Sequence, residues 1–229
     1  MRAADVMTTT ICAANPDAPI DEIARKLLEW RVSALPVIDE DDHVLGIVSD
    51  GDLMRHASLG TDRRSWWLDI LLTDTALAKD YVKTHGRIAR DVMTSPALVV
   101  EENADLTDVA RLLESKRIKR VPVVRDGRLV GIVSRADIMR GLIAAGEAWN
   151  HPRTADDTSV RETVLGELRK LPFAVASHVN AIVDDGIVHL WGHVESPEQR
   201  AAIRIAAERV DGVRRVVDHM VDWRMPAYI

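Results

Sequence analysis

The sequence predicts a mixed α/β chain: two copies of a β-α-β-β-α unit, followed by a smaller α-β-β-α-β unit. Three observations carry this. Asp5-Val6-Met7-Thr8 returns 86 residues later as Asp91-Val92-Met93-Thr94, and the blocks behind it return in the same order. Within each copy, apolar residues at helical spacing give way to two β-branched runs. Near Glu147-Ala148-Trp149-Asn150-His151-Pro152-Arg153 the repeat ceases, and a helix, hairpin, helix, strand order begins.

In the first copy Ile20, Ile23, Ala24 and Leu27 describe a helix packed by one face, with Pro19 near its first turn. The 86-residue offset carries them onto Leu106, Val109, Ala110 and Leu113, and carries Leu35-Pro36-Val37 onto Val121-Pro122-Val123. Two strands follow. Leu35 to Ile38 and Val44 to Val48 flank the polar Asp39–Asp42 turn; Val121 to Val124 and Leu129 to Val133 flank Asp126-Gly127, a strong hairpin signal. Past that turn the offset drops to 85, mapping Gly46-Ile47-Val48-Ser49 onto Gly131-Ile132-Val133-Ser134 and Asp52 onto Asp137. A second helix starts after Ser49 and Ser134. Each copy alone leaves one sheet face bare, and two copies can cover each other. Between them, residues 61–87 include Trp66, Trp67, Leu68 and Ile70, read as an apolar helical insert that packs against the pair or a dimer mate.

After a linker over 148–157, Val160, Val164, Leu165, Leu168 and Leu171 form a one-sided helical stripe ending at Pro172. Val179–Val183 and Ile187–Val194 flank Asp184-Asp185-Gly186 as a hairpin. Ser196-Pro197-Glu198-Gln199 opens the next helix with an N-cap Ser, Pro at its first position and a Gln suited to a capping box. Ala202, Ile205, Ala206 and Val210 line that helix, and Gly212 ends it before a last strand from Val213 to Val221.

Composition narrows the function. The formal charge is -6, and residues 156–229 hold 12 acidic and 9 basic side chains against 24 and 21 before them, so each part carries -3. That balance argues against a sequence-blind grip on nucleic acid, which needs a basic face. Cys12 is the single cysteine, so an intramolecular disulfide and a cysteine-based zinc site are excluded, and a buried, inert thiol is expected. No run of about eighteen apolar residues occurs, and Met1-Arg2-Ala3-Ala4-Asp5 does not read as a signal segment; a cytoplasmic location is expected. No Ser/His/Asp, paired-carboxylate or Gly-rich phosphate-loop arrangement stands at useful spacing, so no catalytic residue is assigned. His189 and His193 share one strand face, with His178 and His219 as further candidates, and are read as surface imidazoles with no metal.

The ordered blocks D-V-M-T, h-P-V and G-I-V-S-x-x-D-h, present in both copies, resemble the CBS domain (cystathionine-β-synthase type). The resemblance implies a pseudo-twofold pair that often dimerises into a disc. The resemblance implies an adenine nucleotide, and the residue chemistry suits its ribose and phosphate. A carboxylate accepting two hydrogen bonds suits ribose hydroxyls, and a Ser three residues earlier can cap the helix whose N-terminus faces phosphate. Asp52 with Ser49 and Asp137 with Ser134 fit those roles, and the family pattern assigns the Asp to ribose and the Ser or Thr to ribose or phosphate. Arg31 in the first copy, and Arg117, Lys119 and Arg120 in the second, lie just before each Pro as phosphate contacts, and Ser33 beside Arg31 is a further ligand-binding candidate. Adenine is expected among apolar side chains and backbone groups near Thr8 and Thr94. Purely structural roles stand beside these: helix caps for the serines, dipole partners for the aspartates and a solvated rim for the bases.

D-G-I-V-H-L-W-G-H-V-E-S and V-D-G-V-R-R-V-V resemble the BON domain over residues 158–223, leaving 224–229 as a tail. That family is associated with phospholipid, membrane and protein contacts. Arg200, Arg204, Arg209, Arg214 and Arg215 are therefore weighed as headgroup contacts against a plain solvated surface. The reading is a non-catalytic regulator, homodimeric, that senses adenine nucleotide (AMP, ADP, ATP or a related molecule) in the cleft between repeat 1 (residues 1–60) and repeat 2 (88–147), with no required cofactor. It signals through dimer and BON contacts. A structural adaptor, dimerised by the repeats and attached through BON to membrane or protein, is the alternative. A nucleotide dehydrogenase is a third reading, without chain left for a catalytic domain.

Overall fold

The computed structural model describes residues 1–57, 82, 85–146, 155–173 and 178–222. The insert around Trp66 and Trp67, the break at 147–153 and the tail beyond 222 lie outside the described residues.

The elements are α1 (Ala3–Val6), α2 (Ile20–Glu29), β1 (Ala34–Ile38), β2 (Val44–Ser49), α3 (Asp50–Ala57), α4 (Ala89–Val92), β3 (Val100–Glu101), α5 (Leu106–Ser115), β4 (Arg120–Arg125), β5 (Arg128–Ser134) and α6 (Arg135–Ala145). The C-terminal part adds α7 (Ala155–Arg169), β6 (Asn180–Asp184), β7 (Ile187–Trp191), β8 (His193–Val194), α8 (Pro197–Glu208), β9 (Arg215–Asp218) and β10 (Val221–Asp222). The chain is mixed α/β. Local chemistry explains most of these boundaries. Asp126 and Gly127 have φ of 51° and 79°, and Asp185 and Gly186 have 48° and 68°, the left-handed pair that a tight two-residue hairpin turn requires. Ser196 caps α8 by accepting from the Gln199 N–H, with Pro197 at the first helical position, while Gln199 Oε1 accepts from the Glu195 N–H. Pro19 is the N-cap of α2 itself. The expected first strand of each copy is slight: β3 has two residues beside β4, and in the first copy Ala14 makes a single parallel bridge to Val37.

The chain forms two compact units, and their composition crosses the repeat boundary. The first-repeat unit comprises residues 11–99 and 124–129; the second-repeat unit comprises 1–10, 100–123 and 130–229. The N-terminal Asp5-Val6-Met7-Thr8 thus folds with the second copy's strands and Asp91-Val92-Met93-Thr94 with the first copy's. In the second-repeat unit Ala3 N–H donates to Ala104 O (2.9 Å), Leu106 N–H to Met1 O (3.0 Å), and Thr8 exchanges backbone hydrogen bonds of 2.9 and 3.0 Å with Ile132. The first-repeat unit mirrors this: Ala89 N–H donates to Ala18 O (2.9 Å), and Thr94 exchanges bonds of 2.8 and 3.1 Å with Ile47.

One core, in the first-repeat unit, gathers Ile23, Leu27, Leu35, Val37, Val48 and Val92. In the second-repeat unit a core of Val6, Leu106, Leu113, Val121 and Val133 also holds Ile182 of β6, while Val164, Leu168, Ala181, Val183, Leu190 and Ile203 build a core of the C-terminal domain itself. β6 is therefore buried on both faces, with Ile182 pointing one way and Ala181 and Val183 the other, as the strand period dictates.

Candidate functional site

Each unit builds the same turn where a strand runs into a helix. Ser49 ends β2, and Asp52 lies in the first turn of α3; the Ser49 N–H and hydroxyl both donate to Asp52 Oδ2, at 2.9 and 2.6 Å. At the junction of β5 and α6 the Ser134 N–H and hydroxyl donate to Asp137 Oδ2 at 2.8 and 2.6 Å. Both aspartates are buried. Capping the helix is thus one role of these residues, and it uses one carboxylate oxygen; the acceptor capacity of a carboxylate extends well beyond that.

The basic residues come next to these turns through the ends of α2 and α5. Val32 N–H donates to Leu27 O (3.0 Å) and Arg31 N–H to Leu28 O (3.3 Å), the paired bonds that close a helix with a left-handed residue. Ile118 to Leu113 and Arg117 to Glu114, each 3.0 Å, repeat the motif. The left-handed residue is an arginine both times, with φ of 50° at Arg31 and 54° at Arg117, where glycine is the unstrained choice. Both arginines and Lys119 are exposed, while Ser33 and Arg120 are half-buried. Ser33 O accepts from Asp50 N–H (3.0 Å) and Lys119 O from Arg135 N–H (3.2 Å), tying each basic segment to the start of the helix that carries the aspartate.

The crossing decides which threonine joins which turn. Thr8 pairs with Ile132, two residues before Ser134; Thr94 pairs with Ile47, two residues before Ser49. The structure therefore groups Thr8, Arg117, Lys119, Arg120, Ser134 and Asp137 in the second-repeat unit, and Arg31, Ser33, Ser49, Asp52 and Thr94 in the first-repeat unit. Two glycines make the pairing fit. A Cβ at Gly131 would stand 2.3 Å from Met7 Sδ and 3.0 Å from Met7 Cβ, and one at Gly46 would stand 2.5 Å from Met93 Sδ and 3.0 Å from Thr94 O.

Sequence reasoning missed what stands behind the Asp137 turn. Arg161 of α7, almost wholly buried, donates from Nε to Ala181 O (2.8 Å) and from Nη2 to Met7 O (2.6 Å) and Asn180 Oδ1 (3.1 Å). Asn180 Nδ2 donates to Val6 O (2.9 Å). The carbonyls left over at the end of α1 thus find donors in the C-terminal domain. Burial lowers the Arg161 pKa to about 10, with Asp5, Glu162 and Asp137 pulling it back up, so the side chain stays a buried cation at neutral pH. Arg140 of α6 donates to Asp137 Oδ1 (2.9 Å) and stands 5.9 Å over the Trp191 ring. Trp191 stacks on His219 at 3.9 Å, and His219 Nε2 lies 3.0 Å from His189 Nδ1. Signals for this existed: Arg161 shares a helix face with Val164, Leu165 and Leu168, and β6 is apolar at successive positions rather than alternate ones.

Of the arginines weighed as headgroup contacts, Arg200 pairs with Asp218 and Asp222, Arg204 with Glu208 and Arg214 with Asp185. His219 joins His189, as a stacked pair. Among the described residues no group of three or more His, Cys, Asp or Glu is placed to hold a metal ion, and no helix is long and apolar enough to cross a membrane. Cys12 is half-buried, and that burial raises its thiol pKa.

Comparison with known proteins matches these units to families. The CBS domain matches residues 3–59 and 89–144, and the BON domain matches 156–221. The chloroplastic CBS domain-containing protein CBSX1 of Arabidopsis thaliana is 38% identical over 136 residues, covering 56% of this chain and 58% of that protein. The chain thus spans little more than half the length of that relative. The uncharacterized protein MJ1426 of Methanocaldococcus jannaschii is 31% identical over 154 residues, 61% of this chain and 89% of its own. Among solved structures, that of Arabidopsis thaliana CBSX2 in complex with AMP superimposes with a TM-score of 0.54 at 34% identity, covering 62% of this chain and 96% of the other. Repeats, crossing and C-terminal fold together place the chain in the CBS-domain family, as a tandem CBS pair followed by a BON domain.

Proposed function

We propose that this chain is a non-catalytic regulatory protein that binds an adenine nucleotide such as AMP, ADP or ATP through one group of residues in each unit. The observation that carries the reading is the twofold recurrence of one assembly: a Ser-x-x-Asp turn, a threonine backbone delivered by the crossed D-V-M-T segment, and an arginine held in left-handed backbone. Such strain persists where a side chain is required at that place. In this reading the carboxylates of Asp52 and Asp137 take ribose hydroxyls, Ser49 and Ser134 orient those carboxylates, and Arg31 on one side and Arg117, Lys119 and Arg120 on the other take phosphate oxygens. Ser33 and the backbone at Thr8 and Thr94 complete the lining. The AMP bound to CBSX2, a relative over most of its own chain, supports the ligand class.

Dimerisation is part of the proposal. Met54 on α3 of the first-repeat unit is more than half exposed, and so are Met139 and Ile143 on α6 of the second-repeat unit, apolar surface on each that a second copy could cover. Light scattering of the purified chain reads this directly.

The decisive experiment is a thermal-shift and calorimetry panel of adenine and guanine nucleotides on the purified chain, repeated with Asp52→Ala and Asp137→Ala. A ligand at about a hundred times its Kd raises stability by roughly 2.7 kcal/mol. A saturable, adenine-specific shift weakened by the two substitutions supports the reading. Absence of any nucleotide response transfers it to the structural adaptor.

A further inference from the structure

We propose that the BON domain is a working part of the second-repeat nucleotide site: Arg161 and Asn180 hold the carbonyls of Met7 and Val6, and so position the Thr8 segment against the Ser134–Asp137 turn. Nucleotide binding and BON docking then strengthen each other. The inference rests on the nucleotide reading above and adds to it a regulatory link confined to one of the two sites.

Four observations converge. The N-terminal segment is anchored on one side by the Thr8–Ile132 backbone pair and on the other by the BON domain, through Arg161 to Met7 O at 2.6 Å and Asn180 to Val6 O at 2.9 Å. α1 is four residues long and has no stability of its own, so these donors, the backbone bonds to Ala104 and Leu106 and the core around Val6 together decide where Thr8 lies. Ile182 of β6 is buried in the core that also holds Val6, Val121 and Val133. Finally, Asp137 carries Arg140, whose guanidinium lies over Trp191 of the BON domain. A ligand engaging Asp137 or the Thr8 backbone therefore touches groups that lie one neighbour away from BON residues, through Arg140 to Trp191 and through Met7 to Arg161.

The coupling has a defined sign. A docked BON domain holds Thr8 in its binding geometry before ligand arrives, so less ordering is left for the ligand to do. By linkage, ligand favours docking by the same factor. Arg161 and Asn180 are positioning residues here, acting through Val6 and Met7.

The test uses the full chain, AMP as the probe, and two backgrounds that isolate the sites: Asp52→Ala leaves the second-repeat site, and Asp137→Ala leaves the first-repeat site. Asn180→Asp keeps the acceptor for Arg161 and removes the donor to Val6, so it is built to fold; Arg161→Met removes all three arginine contacts. In the Asp52→Ala background either substitution is expected to raise the Kd for AMP about tenfold, within the usual range of coupling between sites. In the Asp137→Ala background the Kd stays within twofold. Amide exchange at Ala181–Val183 of the wild-type chain is expected to slow on adding AMP. If Arg161→Met does not fold, Asn180→Asp and the exchange measurement decide. Equal weakening at both sites, or no change at the second-repeat site, overturns the coupling while leaving the nucleotide reading intact. AMP binding abolished by Asp52→Ala alone also overturns it, since the second-repeat site is then empty. A wild-type chain that binds no AMP removes both.

Discussion

The two Ser-x-x-Asp turns have hydrogen bonds of nearly equal length, 2.6 Å from each serine hydroxyl to its carboxylate and 2.9 against 2.8 Å from each serine N–H, yet their surroundings differ. The Asp52 turn belongs to the unit that contains no BON residue. The Asp137 turn shares its unit with the BON domain, whose Arg161, Asn180 and Trp191 reach the segment and the side chain beside it. Identical local motifs can therefore be unequal sites, because what a turn presents to a ligand depends on what fixes its neighbours. The difference is open to direct attack.

The largest effect is expected from Arg161→Met, which takes the arginine donor from Met7 O, Ala181 O and Asn180 Oδ1 in a buried place, leaving Asn180 Oδ1 only the Ala181 N–H. Each buried acceptor left without a donor costs about 1–3 kcal/mol, visible as a lower denaturant midpoint; a total loss under about 1 kcal/mol would mean that the BON domain docks without it. Next comes the pair Gly131→Ala and Gly46→Ala. The first crowds Met7 as far as its Cβ, while the second meets mostly the mobile end of Met93 and the Thr94 carbonyl. Overpacking of about 1–3 kcal/mol is expected at each, the larger at Gly131, and equal losses would erase the asymmetry. Arg31→Gly and Arg117→Gly sharpen the comparison from the other side. Removing a left-handed non-glycine residue relieves roughly 1 kcal/mol, offset in part by the lost charge at a helix C-terminus. Both variants should melt at or slightly above the parent temperature while binding nucleotide more weakly, each at its own site. A gain in stability with unchanged affinity would remove these arginines from the phosphate role.

The smallest effect is one of pH. Burial lowers the His219 pKa below the ordinary 6.5, against an opposing pull from Asp218. The folded chain then binds fewer protons there than the unfolded one. The stability contributed by the neutral ring is full above about pH 6.5 and is lost as pH falls toward the folded value. His219→Phe, which keeps a ring against Trp191, should flatten the acid side of a melting-temperature profile between about pH 7.5 and pH 5.5; an unchanged slope would place the sensitivity elsewhere.

Much of this architecture was legible in the residues. Asp126-Gly127 and Asp185-Gly186 announce their hairpins because two consecutive left-handed residues are needed there, and Ser196-Pro197 announces α8 because both satisfy the geometry of a helix start. The serine and aspartate of each turn were found by their recurrence. What could not be read was which copy receives each D-V-M-T segment. Both copies present the same glycine and the same strand, so no local preference distinguishes them; the partner is chosen by a core assembled from distant parts of the chain. Arg161 was visible on an apolar helix face, but a single long basic side chain in such a stripe ordinarily reaches out to water with its stem on the apolar surface. Here the Met7 carbonyl, with Ala181 O and Asn180 Oδ1, turns it inward.

The crossing of the two D-V-M-T segments separates what is copied from what folds. Duplication of a stretch of gene multiplies a continuous segment, beginning at the motif and ending after the second helix. Neither compact unit of this chain is such a segment: each is completed by ten or so residues drawn from beside the other copy. A mutation in one motif is therefore felt in the opposite half. The two copies can diverge in sequence only as fast as each tolerates change in a piece it lends away, and this ties their histories together long after the event that doubled them.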